Sequence, residues 1–339
     1  MNWVFSSMDI ANWFEKNKFI AEDLDLSDLI SLKKKQNRIV SCVIPTLNEE
    51  KTVGRVINVL GGLLQSGNGL VDEIVVVDSG SKDKTKTVAE NAGAKFFYSK
   101  DILPRLGFAK GKGENLWKSL FVTSGDIICW IDADIKNISE KFVYGLLGPI
   151  LKNPKIRFSK AFYQRPLDVG EGLKNLEGGR VTELLMRPLY NAYFPQLAGF
   201  IQPLSGEYAG TRDVLEKIPF FTGYGVEMGL LIDIEKKFGL DSMAQVDLET
   251  RIHRNRSLND LSKMSFEILQ AFSEKSNSLG VFVNIEKINQ IYTTIESKLN
   301  ADKIEYTLVK KLFSIKQRPP MITVPEYREK ILKKLDLGL

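Results

Sequence analysis

The sequence predicts an α/β fold: a mostly parallel sheet with helices on both faces, followed by a largely helical C-terminal region. Three observations carry this expectation. From Arg38, short β-rich runs alternate with helix-period patterns over about a hundred residues, the βαβαβαβ order that requires a parallel sheet covered by helices. Beyond Ser257 the helical texture dominates, broken by Pro319 and Pro320 and closing near Glu326 to Leu335. With 339 residues, 43% hydrophobic and 26% charged, the chain is long enough to bury a core and has an ordinary globular composition.

Each element has its own signal. Residues 8 to 36 carry mixed charge with Ile10, Trp13, Phe14, Leu24 and Leu29 scattered among them, and read as a helical lead-in ending in Lys33, Lys34 and Lys35. Ile39 to Pro45 is a strand. Val53, Val56, Ile57, Leu60 and Leu64 recur at three- and four-residue spacing and predict a helix over 52–64. A strand at Glu73 to Val77, a helix at Lys84 to Asn91, a strand at Ala94 to Tyr98, a helix at Glu114 to Val122 and a strand at Asp126 to Ile131 follow. After Asp134 the pattern loosens around Gly170, Gly172, Gly178 and Gly179, with two further helices at Val181 to Tyr193, bent at Pro188, and Val226 to Phe238. The expected organisation is an extension over 1–37, an α/β half over 38–135, a second half over 136–275 and a helical extension over 276–339.

Charge and cysteine content narrow the class. A net charge of +5 can favour an anionic ligand locally but falls well short of a nucleic-acid footprint. No run approaches 18 apolar residues, and the first residues lack a signal-peptide pattern, so neither a membrane partner nor secretion is expected. Cys42 and Cys129 lie in apolar strand runs and read as buried thiols in a reducing, cytoplasmic setting.

Sheets of this kind bind ligands beyond the carboxyl ends of their strands, and the polar residues cluster there. The run from Gly125 to Ile131 leads directly into Asp132, Ala133 and Asp134. Side chains at i and i+2 of an extended chain share a side, so Asp132 and Asp134 can address one Mg²⁺ or Mn²⁺ carried in with a nucleotide diphosphate. An isolated D-x-D is more often a solvated strand end; its position after the last strand of an α/β half reverses that preference. Thr46, Asn48, Glu49 and Glu50 end the first strand, where they either cap the next helix or meet a base or ribose. Asp78, Ser79 and Ser81 end the second. The glycine-rich stretch from Gly107 to Gly113 departs from a Walker loop in its spacing and in lacking a hydroxyl after Lys112. Lys112 is then either a diphosphate ligand or a solvated turn lysine. His253, the one histidine, sits among Arg251, Arg254 and Arg256, whose repulsion favours a neutral imidazole; it is either a core or surface histidine of no special role or a metal or phosphate ligand. Gly178 to Thr182 opens a helix as a candidate anion pocket with Arg180, and Glu227 opens another, as a helix-dipole acid or a ligand of substrate hydroxyls.

The motifs IPTLNEE, VDSGS, GKGENLW, DAD, GGRVTELLMRPL, QPLSGEYAG, GYGVE and HRNR stand in an order that resembles the glucosyl-3-phosphoglycerate synthases, retaining glycosyltransferases of the GT-A fold. The resemblance spans about residues 38 to 275. It implies transfer of glucose from UDP-glucose to the 2-hydroxyl of 3-phosphoglycerate, giving glucosyl-3-phosphoglycerate for glucosylglycerate biosynthesis, with Mg²⁺ or Mn²⁺ as cofactor. By motif, Pro45, Leu47, Asn48, Glu49, Ser79, Lys112, Asp132 and Ala133 would hold the nucleotide diphosphate, and Tyr224, Glu227 and Arg256 would surround the donor sugar and diphosphate. Asp134, Asp132 and His253 would bind the metal. Gly179, Arg180, Thr182 and Asn255 would grip the acceptor. Glu227, Lys112 and Asp134 would carry the catalysis, with no covalent nucleophile assigned, and a homodimer is expected. The alternatives are a GDP-mannose or GDP-glucose donor, a lipid-phosphate glycosyltransferase, and a non-catalytic nucleotide-sugar sensor.

Overall fold

Alternate residues of a strand face opposite sides of its sheet, so strands rich in Val and Ile at every position must be covered twice. The structure, a computed structural model, describes residues 7–67, 69–164, 167–168, 173–174, 179–252, 257–280, 291–300, 303–312 and 315–336. In it the chain runs α1 (Ser7–Lys16), β1 (Lys18–Ile20), α2 (Leu26–Lys35), β2 (Val40–Thr46), α3 (Val53–Gly61), β3 (Glu73–Asp78), α4 (Thr85–Asn91) and β4 (Lys95–Tyr98). It continues through α5 (Lys112–Val122), β5 (Ile127–Trp130), α6 (Lys141–Lys152), β6 (Phe158–Gln164) and the short pair β7 (Leu167–Asp168) and β8 (Leu173–Lys174). A π turn (Thr182–Met186) leads into α7 (Arg187–Tyr193), followed by β9 (Tyr208–Thr211), α8 (Arg212–Leu215), β10 (Phe220–Phe221) and α9 (Val226–Phe238). The last elements are β11 (Met243–Thr250), α10 (Leu258–Ser278), β12 (Ile291–Asn300), β13 (Lys303–Leu312), β14 (Gln317–Arg318) and α11 (Pro325–Asp336).

Eight strands form one sheet in the order β1-β11-β6-β9-β5-β2-β3-β4. All neighbours are parallel except β9, which runs antiparallel between β5 and β6. Val43, Val75, Val77, Ile128 and Trp130 pack on one face with Leu116, Trp117 and Leu120 of α5 and with α9. Their sequence neighbours Cys42, Ile44, Ile74, Val76 and Cys129 pack on the other with Val53, Val56, Ile57 and Leu60 of α3 and with α6. The two-sided covering is thus written in the strand parity. Cys42 and Cys129 are free thiols, fully buried at facing register positions.

Two regions differ from the sequence reading. The lead-in, read as helical, also supplies β1, whose register against β11 closes the sheet edge. The C-terminal region has the expected helices in α10 and α11, but the 276–339 stretch read as helical also holds the antiparallel ribbon β12–β13. Its β-branched and aromatic content, Ile291, Thr293, Thr294, Ile295, Tyr306, Thr307 and Val309, is the strand signal that a helix-period reading overlooks.

The carboxyl ends of β2, β3 and β5 share one edge. There Asp78, fully buried, accepts from Thr46 Oγ1 at 2.8 Å and from the backbone N–H groups of Gly80 and Ser81 at 2.8 and 2.7 Å, fixing two turns at once. Across that edge lies a cleft.

Candidate active site

The cleft encloses about 500 Å³ at the carboxyl edge of the sheet. Pro45, Leu47 and Glu49 line it from the turn after β2, Ser79 from the turn after β3, and Asp132, Ala133 and Asp134 from the turn after β5. Lys112, the first residue of α5, enters from above, and Tyr224 and Glu227 enter from the start of α9. Gly179, Arg180 and Thr182 line the cleft from the turn that leads into the π segment, where Gly179 holds a left-handed φ of 95°. Of the residues expected at the site, Asn48 is displaced from the lining. It sits at φ 58°, and its carboxamide oxygen accepts from Lys82 N–H at 2.9 Å while its own N–H donates to Ser81 Oγ at 2.7 Å. It braces two rim turns against each other. His253, Asn255 and Arg256 lie outside the described residues.

A chain of charges forms the floor. Lys112 Nζ stands 2.6 Å from Asp132 Oδ1 and 3.2 Å from Glu227 Oε1, and donates to Gly206 O at 3.1 Å. Arg251 Nη2 lies 2.9 Å from Asp132 Oδ2, 2.8 Å from Asp134 Oδ1 and 3.2 Å from Glu207 Oε1. Tyr163 donates its hydroxyl to Glu207 Oε2 at 2.5 Å and accepts from Arg251 Nη1 at 3.2 Å. Four carboxylates therefore face two cations, leaving two formal negative charges in a partly buried cluster. Burial alone would lower the Lys112 pKa, but Asp132, Glu227 and Glu207 hold it above the ordinary lysine range. Burial would raise Asp132, yet Lys112 and Arg251 hold its carboxyl well below the usual value. For Glu207 burial wins, and its pKa is raised despite Arg251.

The strand ends earlier than the sequence reading had it. β5 stops at Trp130, so Asp132 and Asp134 lie in a turn, and their convergence on one guanidinium nitrogen comes from that turn and not from strand parity. Two carboxylate oxygens that already close on one cationic atom, within a cluster short of two positive charges, fit a hard divalent cation. Among the described residues no group of three or more such side chains makes a metal cage. The segment before His253 is nevertheless tied to this turn. Lys136 N–H donates to Ile252 O at 2.9 Å, and Ile252 N–H donates to Asn137 Oδ1 at 2.8 Å.

Sequence reasoning treated Arg251 only as a neighbour of His253 and assigned nothing to Glu207, Tyr163 or Asn115. Glu207 and Tyr163 had a signal available: an acid beside the glycine of SGEY and a tyrosine in an apolar strand are polar groups that a buried sheet must satisfy. Asn115 donates to Val77 O at 2.9 Å and accepts from Ser79 Oγ at 3.0 Å, which orients the serine at the cleft.

The mostly parallel sheet, with its polar cleft beyond the carboxyl ends of the strands, is the GT-A fold of glycosyltransferases. The chain belongs to glycosyl transferase family 2, whose family model matches residues 41–217, and within it to the glucosyl-3-phosphoglycerate synthases. It is 50% identical to the glucosyl-3-phosphoglycerate synthase of Petrotoga mobilis over 91% of this chain and 94% of that one. The mannosyl-3-phosphoglycerate synthase crystal structure from Rubrobacter xylanophilus superposes with a TM-score of 0.81 at 37% identity, covering 92% of this chain and 97% of that one. The Mycobacterium tuberculosis glucosyl-3-phosphoglycerate synthase, crystallised with Mn²⁺, UDP-glucose and phosphoglyceric acid, superposes with a TM-score of 0.73 at 39% identity over 88% and 94%. The protein is a glycosyltransferase. Among its described residues no helix is long and apolar enough to cross a membrane.

Proposed function

We propose that the protein transfers glucose from UDP-glucose to the 2-hydroxyl of 3-phosphoglycerate, with retention of configuration and with Mg²⁺ or Mn²⁺ as cofactor. The observation that carries this reading is the convergence of Asp132 and Asp134 beside Lys112, facing Gly179 and Arg180 across one cleft. The donor half, 38–135, supplies Pro45, Leu47, Glu49, Ser79 and Ala133 to the nucleotide, with Asn48 acting through the rim turns. The acceptor half, 136–275, supplies Gly179, Arg180, Thr182 and Asn255 to the phosphoglycerate.

Asp134, Asp132 and His253 would hold the divalent cation, which when bound would offset negative charge on the diphosphate. Lys112 does the same from the protein side. It is kept protonated by its carboxylate neighbours, which supports a role in offsetting the charge that builds as the sugar–phosphate bond breaks. Glu227 and Tyr224, at the start of α9, orient the sugar, and Arg256 meets the diphosphate. The acceptor hydroxyl attacks from the side on which UDP departs and passes its proton to the departing phosphate, which preserves the anomeric configuration without a covalent intermediate. Arg180 and the backbone at Gly179 take the acceptor's phosphate, since helix-start N–H groups and a guanidinium suit a multivalent anion. A homodimer fits this reading: the ribbon β12–β13 pairs with no other strand among the described residues, and a lone two-stranded ribbon is marginal in water.

The similarity to a mannosyl-3-phosphoglycerate synthase favours GDP-mannose as the second donor reading. Nucleotide release from UDP-glucose, GDP-glucose and GDP-mannose, each with and without 3-phosphoglycerate and Mn²⁺, tests both. Acceptor-dependent release from UDP-glucose is expected. Faster turnover of GDP-mannose would overturn the donor assignment, and acceptor-independent binding without turnover would overturn the reaction.

A further inference from the structure

The glycine-rich loop that delivers Lys112 is not held by its own half of the sheet alone. Its glycines are explained by backbone crowding: a side chain at Gly111 or Gly113 would run into the carbonyl oxygens of Thr222 or Phe221. Thr222 O also accepts from Glu114 N–H at 3.1 Å, and Thr222 N–H donates to Lys316 O at 3.0 Å. The order in space is loop, β10, then β14, so the C-terminal extension backs the loop.

Arg318 reaches through this stack. Its Nε and Nη2 each donate at 2.9 Å to the two oxygens of Glu114, which is fully buried, and its Nη1 donates to Leu106 O at 2.8 Å. One guanidinium thereby fastens both ends of the 106–114 segment. Lys118 completes the cluster, 3.1 Å from Glu114 Oε1 and donating to Ser99 O and Gly107 O at 2.7 and 3.1 Å. Trp117 donates its indole N–H to Pro319 O at 2.9 Å.

We infer that Arg318 is a positioning residue for the reaction: from the C-terminal extension it sets the loop that aims Lys112 at the donor diphosphate. This rests on the role proposed for Lys112 above. Lysine is no substitute, because a single ammonium nitrogen cannot reproduce the planar fork that meets both oxygens of Glu114 while a third nitrogen holds Leu106 O. The charge balance separates this role from a folding role. Removing Arg318 leaves Glu114 still paired with Lys118, a neutral buried pair, so the fold keeps its compensation.

The test is a double-mutant cycle in the full-length protein. Arg318→Met is expected to lower kcat/KM for the donor on the order of 10- to 100-fold, as misplacement of a catalytic group does, with the acceptor KM nearly unchanged. In a Lys112→Ala background the same substitution is expected to add less than about threefold. Arg318→Lys should behave like Arg318→Met, and a thermal melt checks that all variants are folded. If Arg318→Met is unfolded, Glu114→Gln, which keeps the shape and removes the bidentate partner, is put through the same cycle. An effect that multiplies fully in the Lys112→Ala background, or that falls equally on donor and acceptor KM, overturns the inference. A wild-type protein inactive with every nucleotide sugar overturns the functional reading instead, so the two failures are distinct.

Discussion

Replacing Arg251 with methionine should unmask the acidic centre. Asp132, Asp134 and Glu207 each approach Arg251 Nη2, at 2.9, 2.8 and 3.2 Å, so their oxygens lie within about 6 Å of one another. At an effective dielectric of about 20, two such charges repel by about 3 kcal/mol, and removing one partner of a buried pair typically costs about 3–5 kcal/mol. Glu207 is fully buried, whereas the side chains of Asp132 and Asp134 are 21% and 31% exposed, so solvent relieves part of this repulsion and the loss should fall at the lower end of that range. Urea unfolding in EDTA at pH 7 should therefore show the variant less stable by about 3 kcal/mol. Adding Mn²⁺ should restore part of that loss, because the carboxylates gain a replacement cation. The wild type should gain less, since its guanidinium already stands between them. A variant within about 1 kcal/mol of wild type in EDTA, or one that Mn²⁺ stabilises no more than wild type, would refute the argument.

Arg180→Ala should raise the acceptor KM far more than the donor KM in steady-state kinetics; equal changes would remove Arg180 from the acceptor. Gly206→Ala would thrust a methyl group into the Asp132 carboxylate and to 2.7 Å from Lys112 Nζ, so kcat should fall on the order of 100-fold while the thermal melt moves little. Glu73 is 7% exposed; burial would raise its pKa, but Lys95, Ser41 and Ser124 hold it down to about 2. Because the folded value lies below the unfolded one, its contribution of about 3 kcal/mol is present above pH ~4.5 and is lost as pH falls toward 2; Glu73→Gln should flatten that part of the stability profile, measured by urea titration at each pH. Isothermal titration with UDP should show binding at least about tenfold weaker in EDTA than in Mn²⁺, and equal affinity in both would count against Asp132 and Asp134 as metal ligands.

The fold was legible because its determinants are local. The spacing of Val53, Val56, Ile57 and Leu60 makes one helix face, and the unbroken apolar run of β3 needs two covering layers; both are properties of neighbouring residues. The cleft was legible for a similar reason, since strand ends in such sheets gather on one edge. What was not legible depends on contacts far apart in sequence. Arg251 meets Asp132 across 119 positions, and Arg318 meets Glu114 across 204. Neither spacing leaves a periodic trace. The spacing of the glycines in the Lys112 loop ruled out a Walker cradle but left their purpose open; Gly111 and Gly113 are required by the backbone of Phe221 and Thr222 behind them. The ribbon β12–β13 was missed because strand propensity there competes with charged residues such as Lys298, Lys310 and Lys311 that suit a helix surface equally well.

A chain with a net charge of +5 has, at the bottom of its main cleft, a cluster with two formal negative charges to spare. Such a floor repels a bare diphosphate. On the function proposed above, a divalent cation that meets the deficit would favour docking of the donor, and phosphate oxygens would complete a shell that the turn carboxylates leave open. Nucleotide and metal would then favour each other's binding, the coupling that the UDP titration in EDTA and in Mn²⁺ measures.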